Sequence, residues 1–441
     1  MLIETIAIAV LLSLIVLYVK PGTALAIVLA STLLWPEYLR IPMGPALMSV
    51  SRILALVLFT KFLLNGRFRG MRGNLADVLM LVYWVWLLAA NIIENQSLDY
   101  LTRAIGELLD LILIYFVARL SLQREVDFKQ LVVVLSVLAI YIGALAAYEA
   151  VTGSTFYKQF LQYRPWVTVF GEVEIEKRLG FYRATVSESI HIYFGITMSI
   201  IGGLLVTLHT MTRKKLLTLV GIAFAYLGVV SSFSTGPWIA ALSFLLFRQM
   251  KNHTAKIKPL LLTGLALLSI LHLISERGIH YVGSYLGLNS ATAWYRGRLI
   301  DVAFSELGSY WLFGYGSNLP HYWGGMVDGR PIIDIVNHYI LVAVYGGLMA
   351  LVLFLSITWL AYRNIFKLKL HTLPKKERYV GFSLIAILFS LNVAMLSVSF
   401  YDTPNKYYFA LLGIMISYPY MVKKEVKMKR IAYEFKEKHD D

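Results

Sequence analysis

The strongest constraint in this sequence is a succession of apolar runs, each close to the length of a bilayer-crossing helix, that recurs from the first residues to about residue 422. Crossing the hydrocarbon core takes about 20 helical residues. Polar breaks divide the runs into thirteen expected helices, near 3–19, 22–35, 46–64, 76–93, 101–118, 131–151, 186–208, 216–231, 234–247, 259–275, 338–362, 380–400 and 406–422. Only Lys20-Pro21-Gly22 parts the first two, so one re-entrant hairpin is the alternative there. Composition agrees: 58% of the 441 residues are hydrophobic and 15% charged, where soluble proteins average about 45–50% and about 25%. The expectation is an all-α polytopic membrane protein with about 12–13 transmembrane helices, folded as one domain over 1–441.

Charge sorts the connecting segments into two sets. One set holds Lys20, 61–72, 119–129, 213–215, 248–258, 363–378 and the tail 423–441, with 28 of the 41 Lys and Arg. Nine of the other 13 lie in two long loops, 152–185 and 276–337, whose charges carry little topological weight. The richer side is therefore expected to be cytoplasmic. That places the C-terminus inside, both long loops outside, and the N-terminus outside if there are thirteen spans. The basic tail suits attraction to anionic membrane lipid. With the net charge of +15 drawn out as a girdle, nucleic acid is not an expected partner. The absence of cysteine excludes disulfides, a thiolate zinc site and a cysteine nucleophile. Met1-Leu2-Ile3-Glu4 has no basic n-region, so the first run is expected to be retained.

The two outer loops concentrate polar, aromatic and cationic side chains, and loops of such length are usually functional. The first has two alternating runs around Gly171, an expected surface hairpin. Its Glu172, Glu174 and Glu176 share one strand face, which suits either a hard cation or plain solvation. Arg183 follows in Gly180-Phe181-Tyr182-Arg183-Ala184, where the chain re-enters the membrane before a helix expected to start near Ser187. An arginine there is either an interfacial anchor or a ligand for an anion.

In the second loop, apolar spacing predicts a helix near 291–309 that carries Arg296 and Arg298, followed by the tight turn Gly314-Tyr315-Gly316. Guanidinium forks fit phosphate, so a diphosphate is a natural ligand for the pair. Ion pairs to Asp301 or Glu306 are the competing explanation. His338 opens the next apolar run after Asn337 and is a candidate general base, or an ordinary hydrogen-bonded histidine. Trp294, Tyr295, Tyr310, Trp311, Tyr322 and Trp323 could stack on sugar rings or form an interfacial belt. Within the fifth span Arg103, Glu107 and Asp110 share a helix face, which reads as an ion-pair ladder.

These residues together resemble the O-antigen ligase and O-antigen polymerase superfamily of bacterial inner-membrane glycan transferases. Four elements carry the resemblance: Phe181-Tyr182-Arg183-Ala184 with Ile190-His191 and Gly195; Gly297-Arg298 followed by Leu312-Phe313-Gly314-Tyr315-Gly316; Asn337-His338-Tyr339-Ile340 with Gly346-Gly347-Leu348; and, more weakly, Ser234-Thr235-Gly236-Pro237-Trp238. They span roughly residues 130–400. Val302 stands where the family often has Trp, and Thr235 where it commonly has Arg.

The resemblance implies a GT-C-like fold with two large periplasmic loops. It implies metal-independent, inverting transfer of a glycan from an undecaprenyl-diphosphate carrier to an acceptor glycan or lipid A-core, with no cofactor. Arg183 and Arg298, with Arg296, would hold the diphosphate; His338 would deprotonate or orient the acceptor hydroxyl; Asn337, His191 and Glu188 would support them. Two other readings stand beside it, a transporter or flippase of lipid-linked glycans and a structural subunit of a polysaccharide assembly complex. The first is disfavoured because transport sites sit near the bilayer midplane on broken helices, whereas these cations lie in outer loops.

Overall fold

The computed structural model describes residues 2–44, 46–95, 97–163, 177–253, 256–274, 279–281 and 290–440. The apolar runs form α1 (Leu2–Tyr18), α2 (Pro21–Leu34), α3 (Val50–Leu64), α4 (Leu75–Glu94), α5 (Leu98–Ser121), α6 (Glu125–Thr152), α7 (His191–Leu208), α8 (Lys215–Ser231), α9 (Thr235–Gln249) and α10 (Ile257–Ile274). The second long loop contains α11 (Ser290–Ser305), α12 (Leu307–Tyr310) and α13 (Trp323–Val327). The chain then runs through α14 (His338–Phe366), α15 (Lys375–Ala394) and α16 (Asp402–Asp440). Two short antiparallel hairpins complete the described residues: β1 (Ile41–Met43) with β2 (Ala46–Met48), and β3 (Lys177–Arg178) with β4 (Phe181–Tyr182).

Among the described residues, five helical segments are long and apolar enough to cross a membrane: Leu75–Glu94, Glu125–Thr152, His191–Met211, His338–Thr372 and Lys375–Ala394. Others are apolar but shorter; the 14 residues of α2 rise about 21 Å, less than the ~30 Å hydrocarbon core. Helices α6 and α8 pack closely because Gly143 and Gly221 leave no side chain between them. A Cβ on Gly143 would lie 2.2 Å from Phe224 O. Helix–helix contact inside a bilayer depends on this kind of close approach.

Several boundaries differ from the hydropathy reading, each for a local reason. Residues 46–48 form β2, and α3 begins after Ser49, whose Oγ accepts the Arg52 N–H at 3.4 Å. The helix expected from 186 starts at His191, because the Glu149 carboxylate accepts the N–H groups of Thr185 and Val186 at 3.2 and 2.8 Å and Val186 takes φ +51°. Helix α15 ends at Ala394 rather than 400, and the expected tail 423–441 continues α16 as far as Asp440. The helix expected near 291–309 is present as α11 and α12. The expected hairpin around Gly171, with Glu172, Glu174 and Glu176, lies outside the described residues, and so do the side chains of Arg103 and Glu107.

Hydrogen bonds gather the connecting segments into two groups. At one end Arg67 donates to Leu120 O at 2.6 Å, Arg119 to Arg72 O at 2.9 Å and Asn74 Nδ2 to the Tyr420 hydroxyl at 3.0 Å. At the other, Ser187 Oγ donates to Leu33 O at 2.6 Å, Tyr157 to Leu34 O at 3.0 Å and Asn337 Nδ2 to Leu396 O at 3.1 Å. A second, smaller hydrophobic core built around Leu299, Tyr310, Trp323, Ile335 and Val344 seats the second long loop on α14.

Candidate functional site

Two sequence motifs far apart in the chain are a single structural unit. Helix α14 breaks at Gly346 and Gly347, the latter at φ +73° and ψ −178°, a conformation essentially restricted to glycine. The break frees backbone groups that the Leu312–Gly316 turn satisfies. Tyr315 N–H donates to Val344 O at 2.6 Å and Gly316 N–H to Tyr345 O at 3.1 Å, while Leu348 N–H donates to Trp311 O at 2.8 Å. Trp86 Nε1 of α4 donates to Gly346 O at 2.7 Å and its ring stacks on Phe313 at 5.1 Å. A Cβ on Gly314 would sit 2.4 Å from Val344 O, and one on Gly347 1.9 Å from Leu312 O. The glycines of both motifs are therefore explained by one docking joint.

His338, the first residue of α14, is 3% exposed. Its Nδ1 accepts the Phe400 N–H at 3.2 Å, so the neutral ring carries its proton on Nε2. In that tautomer the ring donates a hydrogen bond and does not take a proton. Asn337 caps α14, its Oδ1 accepting the N–H groups of Tyr339 and Ile340 at 3.0 and 3.2 Å. The ring of His338 lines a cavity of about 130 Å³ together with Asp402, Tyr401, Tyr345, Asn405 and Asp110. None of Arg183, Arg296 and Arg298 lines it.

Asp402 is the functional candidate that the sequence reading passed over. It opens α16 at φ +44°, a strained backbone for a residue with a side chain. Its side chain keeps 39% of its surface, and the charge it meets is Arg40 at 3.9 Å, too long for a hydrogen bond. A signal was present: a lone carboxylate in Tyr401-Asp402-Thr403-Pro404-Asn405, a short turn on the same side as both long loops. Asp110, by contrast, is committed. It holds Arg52 at 2.9 and 2.7 Å across helices and meets Lys406 at 3.5 Å, so its partners among the described side chains lie on other helices. Lys406 in turn bonds the Glu37 carboxylate and, at 2.8 Å, Ser51 Oγ.

The three loop arginines occupy three settings. Arg183 donates from Nη2 to Ser234 Oγ at 3.1 Å, bringing the first motif onto the weaker Ser234–Trp238 motif. Arg296 is partly buried, its Nε has no hydrogen-bond partner among the described residues, and desolvation holds its guanidinium below the ordinary range, opposed by Asp334. Tyr295 ties the same segment down, donating to Asp334 O at 2.8 Å. Arg298 donates to Met326 O at 3.2 Å and faces a separate open groove of about 590 Å³ with Trp294 and Asp301. Among the described residues neither carboxylate suspected of pairing with the arginines does so. Asp301 bonds His280 and the Tyr281 hydroxyl, and Glu306 accepts from Tyr322 at 2.8 Å.

Tyr193 bridges part of this separation: its ring lies 6.2 Å from Tyr401, and Asp334, Asp402 and Glu188 are all within electrostatic reach of its hydroxyl. Asp402 lines the cavity with His338, whereas Asp334 is the carboxylate that faces Arg296. Glu188 belongs with the buried charges rather than behind the arginines. It is 3% exposed, beside Thr403 and Lys406, and burial pushes its carboxyl up to about 8. His191 opens α7, partly buried. The aromatic group divides: Tyr310 and Trp323 are buried in the second core, whereas Trp294, Trp311 and Tyr322 remain exposed. No protein-family model and no curated protein sequence matches the chain.

Proposed function

We propose that the protein is a membrane-embedded glycosyltransferase of the O-antigen ligase and polymerase type, moving a glycan from an undecaprenyl-diphosphate carrier to an acceptor hydroxyl on the periplasmic face of the bacterial inner membrane. In this reading about 12–13 membrane-crossing helices form a GT-C-like bundle. The end rich in Lys and Arg faces the cytoplasm, as does the C-terminus, and the two long loops lie outside. What supports the proposal is a partly buried cation, Arg296, whose buried Nε has no hydrogen-bond partner among the described residues, together with a cavity that holds His338 and Asp402. A buried guanidinium with spare donors favours an incoming polyanion.

The chemistry follows from that placement. The acceptor oxygen attacks the anomeric carbon as the bond from that carbon to the diphosphate oxygen breaks, with inversion and no metal ion. Arg183 and Arg296 take the charge that develops on the departing diphosphate, and Arg298 meets the donor in the outer groove. His338 donates from Nε2 and orients the acceptor. The proton released by the acceptor passes to the Asp402 carboxylate, a role the histidine tautomer leaves open.

Purified protein incubated with an undecaprenyl-diphosphate oligosaccharide tests this directly. Lengthening of the glycan marks a polymerase, and transfer only after a second acceptor is added marks a ligase. Movement of the lipid-linked glycan across a liposome bilayer, with no transfer to any acceptor, would overturn the enzyme reading in favour of a transporter. Against transport stands the α14 break itself, whose freed carbonyls at Val344, Tyr345 and Gly346 accept from the Leu312–Gly316 turn and Trp86.

A further inference from the structure

The end of the bundle opposite the candidate site contains a cavity of about 500 Å³ between the segment after α3, the C-terminal end of α5 and the middle of α16. That volume suits a small-molecule site. Its charged lining is entirely cationic: Arg72, Arg119, Lys423 and Lys424, with no carboxylate. The four are not equivalent. Arg119 is spent, because it holds Asp77 at 2.9 and 2.7 Å and donates to Arg72 O at 2.9 Å, and so forms the floor that fixes the backbone of Arg72. The side chains of Arg72, Lys423 and Lys424 make no ion pair among the described residues and are exposed. Gln123 and Tyr420 add polar groups, and Leu122, Met71 and Met421 give the cavity an apolar wall.

We propose that this cavity binds the phosphate head group of an anionic phospholipid, one per chain, with Arg72, Lys423 and Lys424 around the phosphate and the apolar wall against the glycerol and first acyl carbons. Three cations with no ion pair among the described residues, over a preformed hollow, call for an anion. Arginine beside two lysines suits phosphate in particular, a fork and two point charges. The source is lipid rather than a soluble phosphate because the polar groups adjoin an apolar wall and Arg72 lies just before α4, a helix long and apolar enough to cross a bilayer. The proposal rests on the membrane reading of the fold and on nothing about glycan transfer, so the two can fail separately.

The test uses the full-length protein in a neutral detergent, with native mass spectrometry counting retained adducts. The probes are dihexanoyl-phosphatidylglycerol, dihexanoyl-phosphatidylcholine and sn-glycerol 3-phosphate. One phosphatidylglycerol per chain is expected at least tenfold more tightly than the choline lipid, with glycerol 3-phosphate retained no better than the choline lipid. Combined Arg72→Gln, Lys423→Gln and Lys424→Gln should weaken phosphatidylglycerol binding by roughly a hundredfold, about fivefold for each cation. Combined Lys367→Gln and Lys369→Gln, on the same end but outside the cavity, should leave it unchanged. Equal binding of the two lipids, tight binding of glycerol 3-phosphate, or equal losses in the two combined variants would overturn the proposal. A glycan-transfer assay on the same samples reads the proposed activity independently.

Discussion

Arg119 and Arg296 carry the same guanidinium at opposite ends of the bundle, and their surroundings assign them different work. Arg119 is 2% exposed and paired twice with Asp77, which also accepts the Tyr115 hydroxyl at 2.7 Å and the Asn74 N–H that caps α4. Its charge is fully used by the fold. Arg296 is as firmly placed by its helix, yet its Nε lacks a hydrogen bond among the described residues and Asp334 meets it only through space. A desolvated cation left in that state costs stability, and it is the one to which the proposed function assigns the ligand. Arg52, bound twice by Asp110, belongs with Arg119 on the committed side.

The largest expected effect is on the committed side. Asp77→Ala removes the counter-charge of a buried arginine, a partner of Tyr115 and half of a capping box, and should cost about 3–5 kcal/mol of stability. The thermal midpoint of the detergent-solubilised protein reads it. Asp77→Ala combined with Arg119→Met should recover much of the loss, since removing both charges leaves neither stranded. No recovery would mean that Asp77 acts through its cap and Tyr115, and that Arg119 is not the paired structural cation described.

Arg296→Ala should do the reverse. Loss of one preorganised donor to a developing charge lowers turnover by about 10²–10³-fold, while the melting temperature holds or rises because an incompletely paired buried cation is gone. Transfer from an undecaprenyl-diphosphate oligosaccharide, measured beside the melt, separates the two outcomes. Unchanged transfer together with a large loss of stability would put Arg296 in the same class as Arg119.

The sequence discloses the helices and conceals most of the connections between them. Runs of apolar residues locate α1 to α10 and α14 to α16, because a helix in lipid must satisfy its own backbone and so depends on local composition, although α6 begins six residues earlier than its run and α16 extends well past its own. The errors fall where a distant group intervenes. Glu149, on α6, holds residues 185 and 186 out of helix α7, and nothing near those residues announces it. Asp110 was matched with charges on its own helix, though its partners among the described side chains lie 58 and 296 residues away. Motif order brought Arg183, Arg298 and His338 into one imagined site; in three dimensions Arg298 faces its own groove, and the cavity of His338 is completed by Asp402. Tyr310 and Trp323 look the same in sequence as the exposed Trp311 and Tyr322, and only packing on α14 tells them apart.

Gly347→Ala probes whether the outer end is held by its backbone joint independently of the arginines. At φ +73° with Leu312 O 1.9 Å from the added Cβ, the joint must open or shift. Strain at such a residue costs about 1–3 kcal/mol. Limited proteolysis should show earlier cutting within residues 307–327, with the thermal midpoint falling less than for Asp77→Ala. If the loop stays protected, the Leu312–Gly316 turn is seated by the second core and not by the broken helix.

The smallest effect separates support from chemistry at Asn337, a residue that motif order alone would place beside the reacting groups. Its Oδ1 is occupied by the N–H groups of Tyr339 and Ile340 and its Nδ2 donates to Leu396 O, so its hydrogen bonds among the described residues all serve the backbone. Asn337→Ala should cost about 0.5–2 kcal/mol, the loss of an N-cap, and lower transfer only as far as His338 loses its position. Asn337→Ser keeps a capping oxygen and gives up the bond to Leu396, so it should restore most of the stability and, with it, the activity. Stability restored without activity would place the Asn337 amide on the substrate, and the outer end would then hold one more side chain whose hydrogen bonds serve the ligand and not the fold.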